Sequence, residues 1–147
     1  MSIFNPELIK VNFKASGKED CLRSIAKTFA AAGVIKEDQD FYEKLMEREL
    51  VLSTGIGRGV AIPHLRDSSI SELRAGIYLL DNEIDFDSLD RQKVKLILCM
   101  AVPEAAGKSY MKLLQKVSEF FRNETNRLMV YNCKDSDELL KIFRSIE

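Results

Sequence analysis

The chain has 147 residues, of which 46% are hydrophobic and 31% charged, a composition typical of a globular protein of one domain. Lysine and arginine number 22 against 23 aspartates and glutamates, so the net charge of −1 gives no reason to expect a nucleic-acid partner. No apolar run approaches the roughly 20 residues that span a bilayer, and the N-terminus lacks the basic start and apolar core of a secretory signal. We therefore expect a single cytosolic domain over residues 1–147, with no direct membrane insertion.

Near the N-terminus, a strand is predicted and then a helix. Apolar and polar residues alternate from Ile9 to Phe13, which is the period of a half-buried strand. Ser16, followed three residues later by Glu19, fits a capping box that opens a helix, and Gly33 is placed to end it. The apolar residues of this helix recur at helical spacing, and they are Leu22, Ile25, Ala26, Phe29 and Ala30.

A second helix is predicted from about Glu37 to Glu49, with Phe41, Leu45 and Met46 facing inward. It brings Arg48 to the mouth of the loop that follows. By itself, Arg48 is better explained as a solvated charge at a helix C-terminus, where it is favourable with the helix dipole.

The next stretch contains His64, the only histidine of the chain. The alternation of Gly55, Gly57 and Gly59 before it predicts backbone amides that side chains leave uncovered. Residues 60–62 then form a short apolar strand, which we expect to stop at Pro63 because proline removes a donor. His64 is therefore predicted to lie on a rim beside open amides, which suits an anion or a phosphoryl group. A backbone carbonyl or a polar side chain of the loop over 53–59 is expected to hold the other nitrogen of its ring.

The second half of the chain predicts more strands and helices. Strands are expected at 75–80 and 94–102, the second buried on both faces and ended by Pro103, with a short edge strand around Ile84 and Phe86. Helices are expected over 108–122 and 135–146, and 124–131 is a possible short helix. The predicted inner face of the helix over 108–122 consists of Met111, Leu114, Val117 and Phe121. Interleaved strands and helices indicate an α/β sandwich around one sheet, whose sites gather at strand ends.

Several other kinds of site are disfavoured. Cys21 and Cys99 lie in apolar patterns and are interpreted as core residues, and with Cys133 they form no metal-binding spacing, so we expect no metal and no cofactor. A catalytic Cys–His pair stays open, although no cysteine has a polar or glycine-rich setting. The glycine loop lacks the Gly-Lys-Ser/Thr ending of a nucleotide-binding loop, and the acidic stretch 81–90 does not have the spacing of a calcium loop.

The stretch that ends in His64 resembles the active-site signature of the type 2 EIIA proteins of the phosphoenolpyruvate-dependent sugar phosphotransferase system (PTS), the mannitol/fructose and nitrogen-regulatory class. The signature combines an Arg-Glu pair, a Ser-Thr-Gly-Ile-Gly loop, a Gly-aliphatic-Ala-aliphatic segment and Pro-His. Its counterparts here are Arg48-Glu49, Ser53-Thr54-Gly55-Ile56-Gly57, Gly59-Val60-Ala61-Ile62 and Pro63-His64. The resemblance implies the mannitol-type IIA fold, a mixed central sheet with helices on both sides.

The same resemblance implies a phosphotransferase component that works through a phosphohistidine. His64 would attack through Nε2 and accept the phosphoryl group from the phosphocarrier protein HPr or its nitrogen-branch relative. Arg48 would help to hold that group. The orienting or phosphate-binding groups would be Ser53, Thr54, Gly55, Gly57 and Tyr110.

Tyr110 marks a departure from the family. Members commonly carry a second histidine at the start of the helix after the central strand, and Tyr110 occupies that place here. A tyrosine hydroxyl donates a hydrogen bond to a phosphate oxygen but carries no positive charge near pH 7. An equally good interpretation is a purely structural tyrosine at a helix start.

Three functions remain open at this point. The first is a carrier with a regulatory, nitrogen-type role, which docks to target proteins according to its phosphorylation. The second is a IIA component of a sugar transporter that passes phosphate to a IIB domain. The third is a protein-binding module that is never phosphorylated.

Overall fold

The computed structural model describes residues 3–147. Its strands are β1 (Phe4–Phe13), β2 (Gly55–Gly57), β3 (Val60–Ala61), β4 (His64–Asp67), β5 (Arg74–Ile84) and β6 (Val94–Pro103). Its α-helices are α1 (Lys18–Ala31), α2 (Asp38–Val51), α3 (Ser109–Phe120), α4 (Glu124–Tyr131) and α5 (Ser136–Ile146), and a 3-10 turn covers Glu104–Ala106.

All six strands form one mixed sheet in the order β1-β5-β6-β3-β2, and β4 also pairs with β6. β5 and β6 are antiparallel, whereas β1 is parallel to β5, and β3 and β4 are both parallel to β6. The predicted central strand is thus confirmed as β6, which is buried along nearly its whole length. Because β3 and β4 pair with successive parts of β6, the segment between them is held against the middle of the sheet.

Helices cover both faces of the sheet, which confirms the predicted sandwich. Successive residues of β5 show the division, since Tyr78 packs with α1 and α2 whereas Leu79 packs with α3, α4 and α5. The alternation follows from the two-residue period of a strand, which sends neighbouring side chains to opposite faces. Two hydrophobic layers therefore hold the sheet, and both layers include residues of β6.

The predicted capping box at Ser16 is wrong. The N-cap position of α1 is Gly17, and no side chain accepts a hydrogen bond from the first turn. Instead the backbone N–H of Ser16 donates to the Asp20 carboxylate over 2.9 Å, so the side chain inside the helix reaches back to the chain before it. Gly33, the predicted stop, does follow the helix and has a φ of 76°, a value that glycine adopts without strain.

The predicted inner face of α3 is partly wrong. Met111 is 51% exposed, and Leu113 takes its place in the core. The buried stripe recurs every four residues at Leu113, Val117 and Phe121, and Met111 lies about 200° around the helix from Leu113. The other helix predictions are confirmed, including the short helix over 124–131, which is α4.

Two of the three cysteines, Cys21 and Cys99, are buried as expected, and Cys133 is half-buried. Burial raises the pKa of the Cys21 thiol to about 12, which keeps it protonated and unreactive. Within residues 3–147, no helix has the length and apolar character needed to cross a membrane.

Candidate functional site

The short strand stops before Pro63, as predicted, since β3 ends at Ala61. The sequence did not predict the strand that follows: pairing with β6 resumes immediately, with His64 opposite Met100 at the start of β4. Pro63 has no N–H to donate, but its carbonyl accepts the N–H of Met100 over 3.0 Å, so the connection to β6 is maintained through the proline. His64 is consequently half-buried and anchored on a continuous sheet.

A backbone carbonyl two residues earlier in the sequence fixes the orientation of the His64 ring. Nδ1 lies 2.8 Å from the carbonyl oxygen of Ile62. A carbonyl only accepts, so Nδ1 carries the proton and donates, and the lone pair of the neutral ring is on Nε2. A partner in the loop over 53–59 was expected for this nitrogen. The backbone carbonyl of Ile62, just after that loop, provides it instead.

The pKa of His64 is lowered from its ordinary value. Burial is the main cause, because it penalises the charged imidazolium, and the positive charge of Arg48 acts in the same direction. The hydrogen bond to Ile62 and the negative charge of Glu49 oppose these effects. The net result is a neutral imidazole with a free lone pair at neutral pH, which is the form that attacks phosphorus.

Arg48 lies in the last turn of α2 and is half-buried. Its Nη1 donates to the carbonyl oxygen of Leu52 over 2.8 Å, which satisfies a carbonyl at the end of the helix. The positive charge of Arg48 lowers the pKa of His64, so the predicted association of these two residues is consistent with their electrostatic interaction.

The glycine loop is less open than predicted. The N–H of Thr54 donates to the Glu49 carboxylate over 3.1 Å, that of Gly55 to the Ser53 hydroxyl over 3.1 Å, and that of Arg58 to Asp90 over 2.8 Å. The expectation of uncovered amides is therefore wrong at these three positions. The physical reason is that the loop is tied to neighbouring carboxylates and pairs with β3 as a short strand.

Other atoms of the loop differ in how they are engaged. The Ser53 hydroxyl donates to the carbonyl of Phe86 over 2.8 Å, whereas the Thr54 hydroxyl is buried and has no hydrogen-bond partner among residues 3–147. Gly57 has a φ of 93°, and a side chain there would meet the Asp90 carboxylate at 3.0 Å. Gly57 is thus required by the backbone, and Thr54 carries the unused donor of the loop.

Tyr110 is the second residue of α3, and its ring centroid lies 6.0 Å from that of His64. The two rings are tilted by 47° relative to each other. The predicted alignment of this tyrosine with the site is therefore supported by proximity, since α3 brings it to the same face as His64.

Sequence reasoning named Glu49 only as part of the signature, without a role, and missed Lys18 altogether. Glu49 is buried, and its Oε1 accepts both from the Thr54 amide and from Lys18 Nζ, which lies 3.0 Å away. The sequence spacing indicated that Glu49 is buried. Phe41, Leu45 and Glu49 recur every four residues, so the Glu49 carboxylate lies on the same face of α2 as two apolar side chains. A charge on the inner face of a helix needs a buried partner, and Lys18 is that partner.

Fold and site together define an α/β protein that presents one oriented, neutral imidazole within the electrostatic influence of an arginine. A family model described as "Phosphoenolpyruvate-dependent sugar phosphotransferase system, EIIA 2" matches residues 2–146. The chain belongs to this type 2 EIIA family, whose members are phosphoryl carriers of the phosphotransferase system.

Both branches of the family are represented among its relatives. The chain is 30% identical over 145 residues to the nitrogen regulatory protein of Pseudomonas aeruginosa, covering 99% of this chain and 94% of that protein. It is 28% identical to the fructose-specific EIIABC component of Bacillus subtilis over 91% of this chain, but spans only 21% of that protein's length.

Solved structures agree on the fold. The crystal structure of nitrogen regulatory protein IIA-Ntr from Neisseria meningitidis superposes with a TM-score of 0.90 at 25% identity, over 96% of each chain. The complex of mannitol enzyme IIA with phosphorylated enzyme IIB from Escherichia coli has a TM-score of 0.80 at 15% identity, covering 97% and 99% of the chains. The mannitol-type IIA fold is thereby confirmed for this protein.

Proposed function

We propose that His64 accepts a phosphoryl group on Nε2 from the phosphohistidine of HPr or its nitrogen-branch relative, and that the protein acts as a regulatory carrier in the cytosol. The observation that carries this proposal is the hydrogen bond from Nδ1 to the Ile62 carbonyl. It leaves the nucleophilic lone pair on the other nitrogen of a half-exposed, neutral ring.

The reaction itself requires little from the protein beyond positioning. The Nε2–P bond forms as the N–P bond of the donor breaks, so one phosphohistidine replaces another and no net proton is taken up by the ring. No metal or cofactor takes part in this proposal. The acceptor must instead hold its ring in line with the phosphorus and stabilise the charge that arrives.

The arriving group adds about two negative charges at neutral pH. Arg48 supplies the cation, and the cost of releasing it from the Leu52 carbonyl is one hydrogen bond. The Thr54 hydroxyl, unpartnered among the described residues, and the Tyr110 hydroxyl complete the donors. Ser53, Gly55 and Gly57 act indirectly, because they set the shape of the loop that holds Thr54.

Docking of a donor protein is supported by the surface beside Arg48. Leu50 and Val51, at the end of α2, are both 82% exposed, and Leu52 and Ile56 of the following loop are also exposed. Large apolar side chains that are grouped on a protein surface often mark an area that binds another protein. We propose that these four residues form the docking rim for the donor.

The regulatory role is favoured over transport by two features. A relative that matches almost end to end is named a nitrogen regulatory protein, and residue 110 is a tyrosine where the family commonly carries a second histidine. The alternative, transfer from His64 to a IIB domain, is favoured by the likeness of the fold to mannitol IIA in its IIB complex. In either role we propose that residues 1–147 function as one domain.

Labelling with phosphoenolpyruvate, enzyme I and HPr tests the proposal. Wild-type protein should acquire acid-labile phosphate, and His64→Ala should acquire none, whereas Gln92→Ala, which changes an exposed loop residue, should label like the wild type. If the wild type acquires no label with either HPr or its nitrogen-branch relative as donor, phosphoryl acceptance is contradicted. The remaining function is then that of a protein-binding module that is never phosphorylated. Label that reaches a IIB domain replaces the regulatory role with the transport role.

A further inference from the structure

A cleft of about 760 Å³ opens between the start of α1, the C-terminal end of α2 and the loop that follows β5. Its volume falls in the range typical of small-molecule sites in proteins. Neither His64 nor Arg48 nor Tyr110 lines it, so the reacting groups lie outside it, although Leu50 and Leu52 at its mouth also belong to the proposed docking rim.

The walls of the cleft are strongly acidic. Four carboxylate residues line it against a single ammonium group, a net charge of −3 when all are ionised, and they are Glu19, Asp20, Glu49 and Asp87 against Lys18. Lys18 Nζ lies 3.0 Å from Glu49 Oε1 and 3.8 Å from Asp87 Oδ2, so it offsets part of the charge of these two residues and leaves Glu19 and Asp20 without a counter-charge from it. A concave surface with an excess of one charge concentrates ligands of the opposite charge. The cleft therefore favours a cation over an anion or a neutral molecule.

One of these carboxylates has an unsatisfied oxygen. Glu49 is 5% exposed, and its Oε1 is bonded to the Thr54 amide and to Lys18. Its Oε2 is buried and has no hydrogen-bond partner within residues 3–147. A buried carboxylate oxygen without a donor is costly, and a ligand that brings an N–H group removes that cost.

The mouth of the cleft is apolar. Leu50, Leu52 and Leu89 line it while 82%, 54% and 74% exposed, respectively. Three leucines left in water around one concavity constitute an apolar surface that a ligand would cover. A ligand that suits both the walls and the mouth has a charged head and an apolar body.

We propose that this cleft binds an organic cation, a primary ammonium group on an apolar carbon chain. The ammonium group sits among Glu49, Asp87 and Glu19, donates to Glu49 Oε2, and leaves its carbon chain against the three leucines. Because Glu49 also accepts the hydrogen bond of the Thr54 amide, a ligand bound in the cleft affects the loop that precedes His64. The cleft is thus an effector site, a property beyond the proposed phosphoryl carrier.

The test is a titration of the full chain, labelled with ¹⁵N and at constant ionic strength, with n-hexylammonium chloride. Hexanol and sodium hexanoate serve as probes of the same chain length with neutral and negative heads. Hexylammonium should give saturable shifts at the amides of Leu50, Leu89 and Thr54, with an affinity at least about tenfold above that of hexanol, the factor expected for one hydrogen bond to a charged group. Hexanoate should give no saturable shift.

Two variants keep the test independent of folding. Asp87 is exposed, so Asp87→Asn should fold normally and weaken hexylammonium binding, whereas Asp137→Asn, in the first turn of α5, should not. Glu49→Gln should remove the preference for hexylammonium over hexanol. Equal binding of the three probes, a preference for hexanoate, the absence of saturable shifts, or unchanged binding in both Asp87→Asn and Glu49→Gln would overturn the proposal. No phosphoryl donor is present, so the result is independent of phosphorylation at His64.

Discussion

Lys18 and Glu49 form an ion pair of 3.0 Å with side chains only 12% and 1% exposed. Lys18 also donates to the Phe86 carbonyl over 3.3 Å, and Glu49 accepts from the Thr54 amide. The pair therefore joins the start of α1, the end of α2 and two loops at one point. Its position just behind the glycine loop means that the geometry ahead of His64 depends on a buried charge pair.

Lys18→Met should destabilise the protein by about 3–5 kcal/mol, because it leaves the buried Glu49 carboxylate without its counter-charge. Urea unfolding followed by circular dichroism measures the change. The double variant Lys18→Met/Glu49→Gln should recover most of the loss, since glutamine keeps the acceptor for Thr54 without a charge to compensate.

The matched control is Lys44→Met. Lys44 pairs with Asp40 and Asp67, but all three side chains are partly exposed, at 37%, 50% and 19%. Water already solvates this cluster, so its loss should cost less than about 1 kcal/mol. Equal costs for Lys18→Met and Lys44→Met would show that burial of the Lys18–Glu49 pair has no energetic consequence.

Arg48→Ala should slow phosphorylation by about 10²–10³-fold, the usual effect of removing one group that stabilises developing charge. The fold should persist, because the lost bond is to the Leu52 carbonyl at a helix end that water can reach. Single-turnover transfer from phosphorylated HPr measures the rate, and Arg66→Ala is the control, since Arg66 binds the Glu104 carbonyl on a different loop. Unchanged kinetics in Arg48→Ala would make Arg48 a helix-end charge only.

The general architecture was predictable from periodicity because burial on both faces of β5 and β6 gives long apolar runs, and packing on one side gives helical stripes. β4 was not predictable. His64–Asp67 contains only one large apolar residue, and its pairing with β6 depends on the Pro63 carbonyl and on a neighbour 36 residues away in sequence. Local patterns carry no record of such a long-range pairing.

At the site, a motif identified residues but not their contacts. His64 and Arg48 stand in an unusual sequence context, so they were found without coordinates. The partner of His64 Nδ1 and the occupied amides of the loop were predicted wrongly, because hydrogen-bond partners depend on which elements meet. Glu49 was named in the motif but given no role, although its place on the stripe with Phe41 and Leu45 indicated burial.

The lowered pKa of His64 predicts its pH dependence. In the unfolded chain the imidazole binds a proton with a pKa near 6.5. In the folded protein its pKa is lower, so the ring stays neutral to a lower pH. Between those two pKa values the unfolded state binds more protons, so this group's contribution to stability is complete above about pH 6.5 and is lost as the pH falls through that window. The phosphorylation rate should likewise begin to fall only below that pH.

An NMR titration of the ring protons measures this pKa directly, since the chain has a single histidine. Arg48→Gln should move the pKa of His64 upward, because it removes a positive charge that disfavours the imidazolium. A downward movement, or none, would mean that the charge of Arg48 does not act on the ring.

Gly55→Ala should destabilise the protein by about 1–3 kcal/mol. A methyl group on Gly55 would lie 2.1 Å from the Ser88 hydroxyl and 2.9 Å from the Ser88 Cβ, closer than atoms can pack. Ser88→Gly removes both atoms and should restore much of the stability in the double variant, and Gly17→Ala, which meets nothing within 4 Å, is the control. Thermal unfolding compares the variants, and a failure of Ser88→Gly to rescue would place the strain elsewhere in the loop.

Tyr110→Phe separates the two interpretations of Tyr110. Phenylalanine keeps the ring 6.0 Å from His64 but removes the hydroxyl that would donate to the phosphoryl group. A neutral hydrogen bond contributes about 1 kcal/mol, so phosphorylation of His64 should slow by no more than about fivefold, far less than in Arg48→Ala. Rates equal to the wild type would show that Tyr110 is only structural. A loss as large as that of Arg48→Ala would show that the Tyr110 hydroxyl contributes as much to phosphorylation as the Arg48 charge does. The neutral hydroxyl is expected to matter less because it offers one hydrogen bond and no charge to a group that carries about two negative charges.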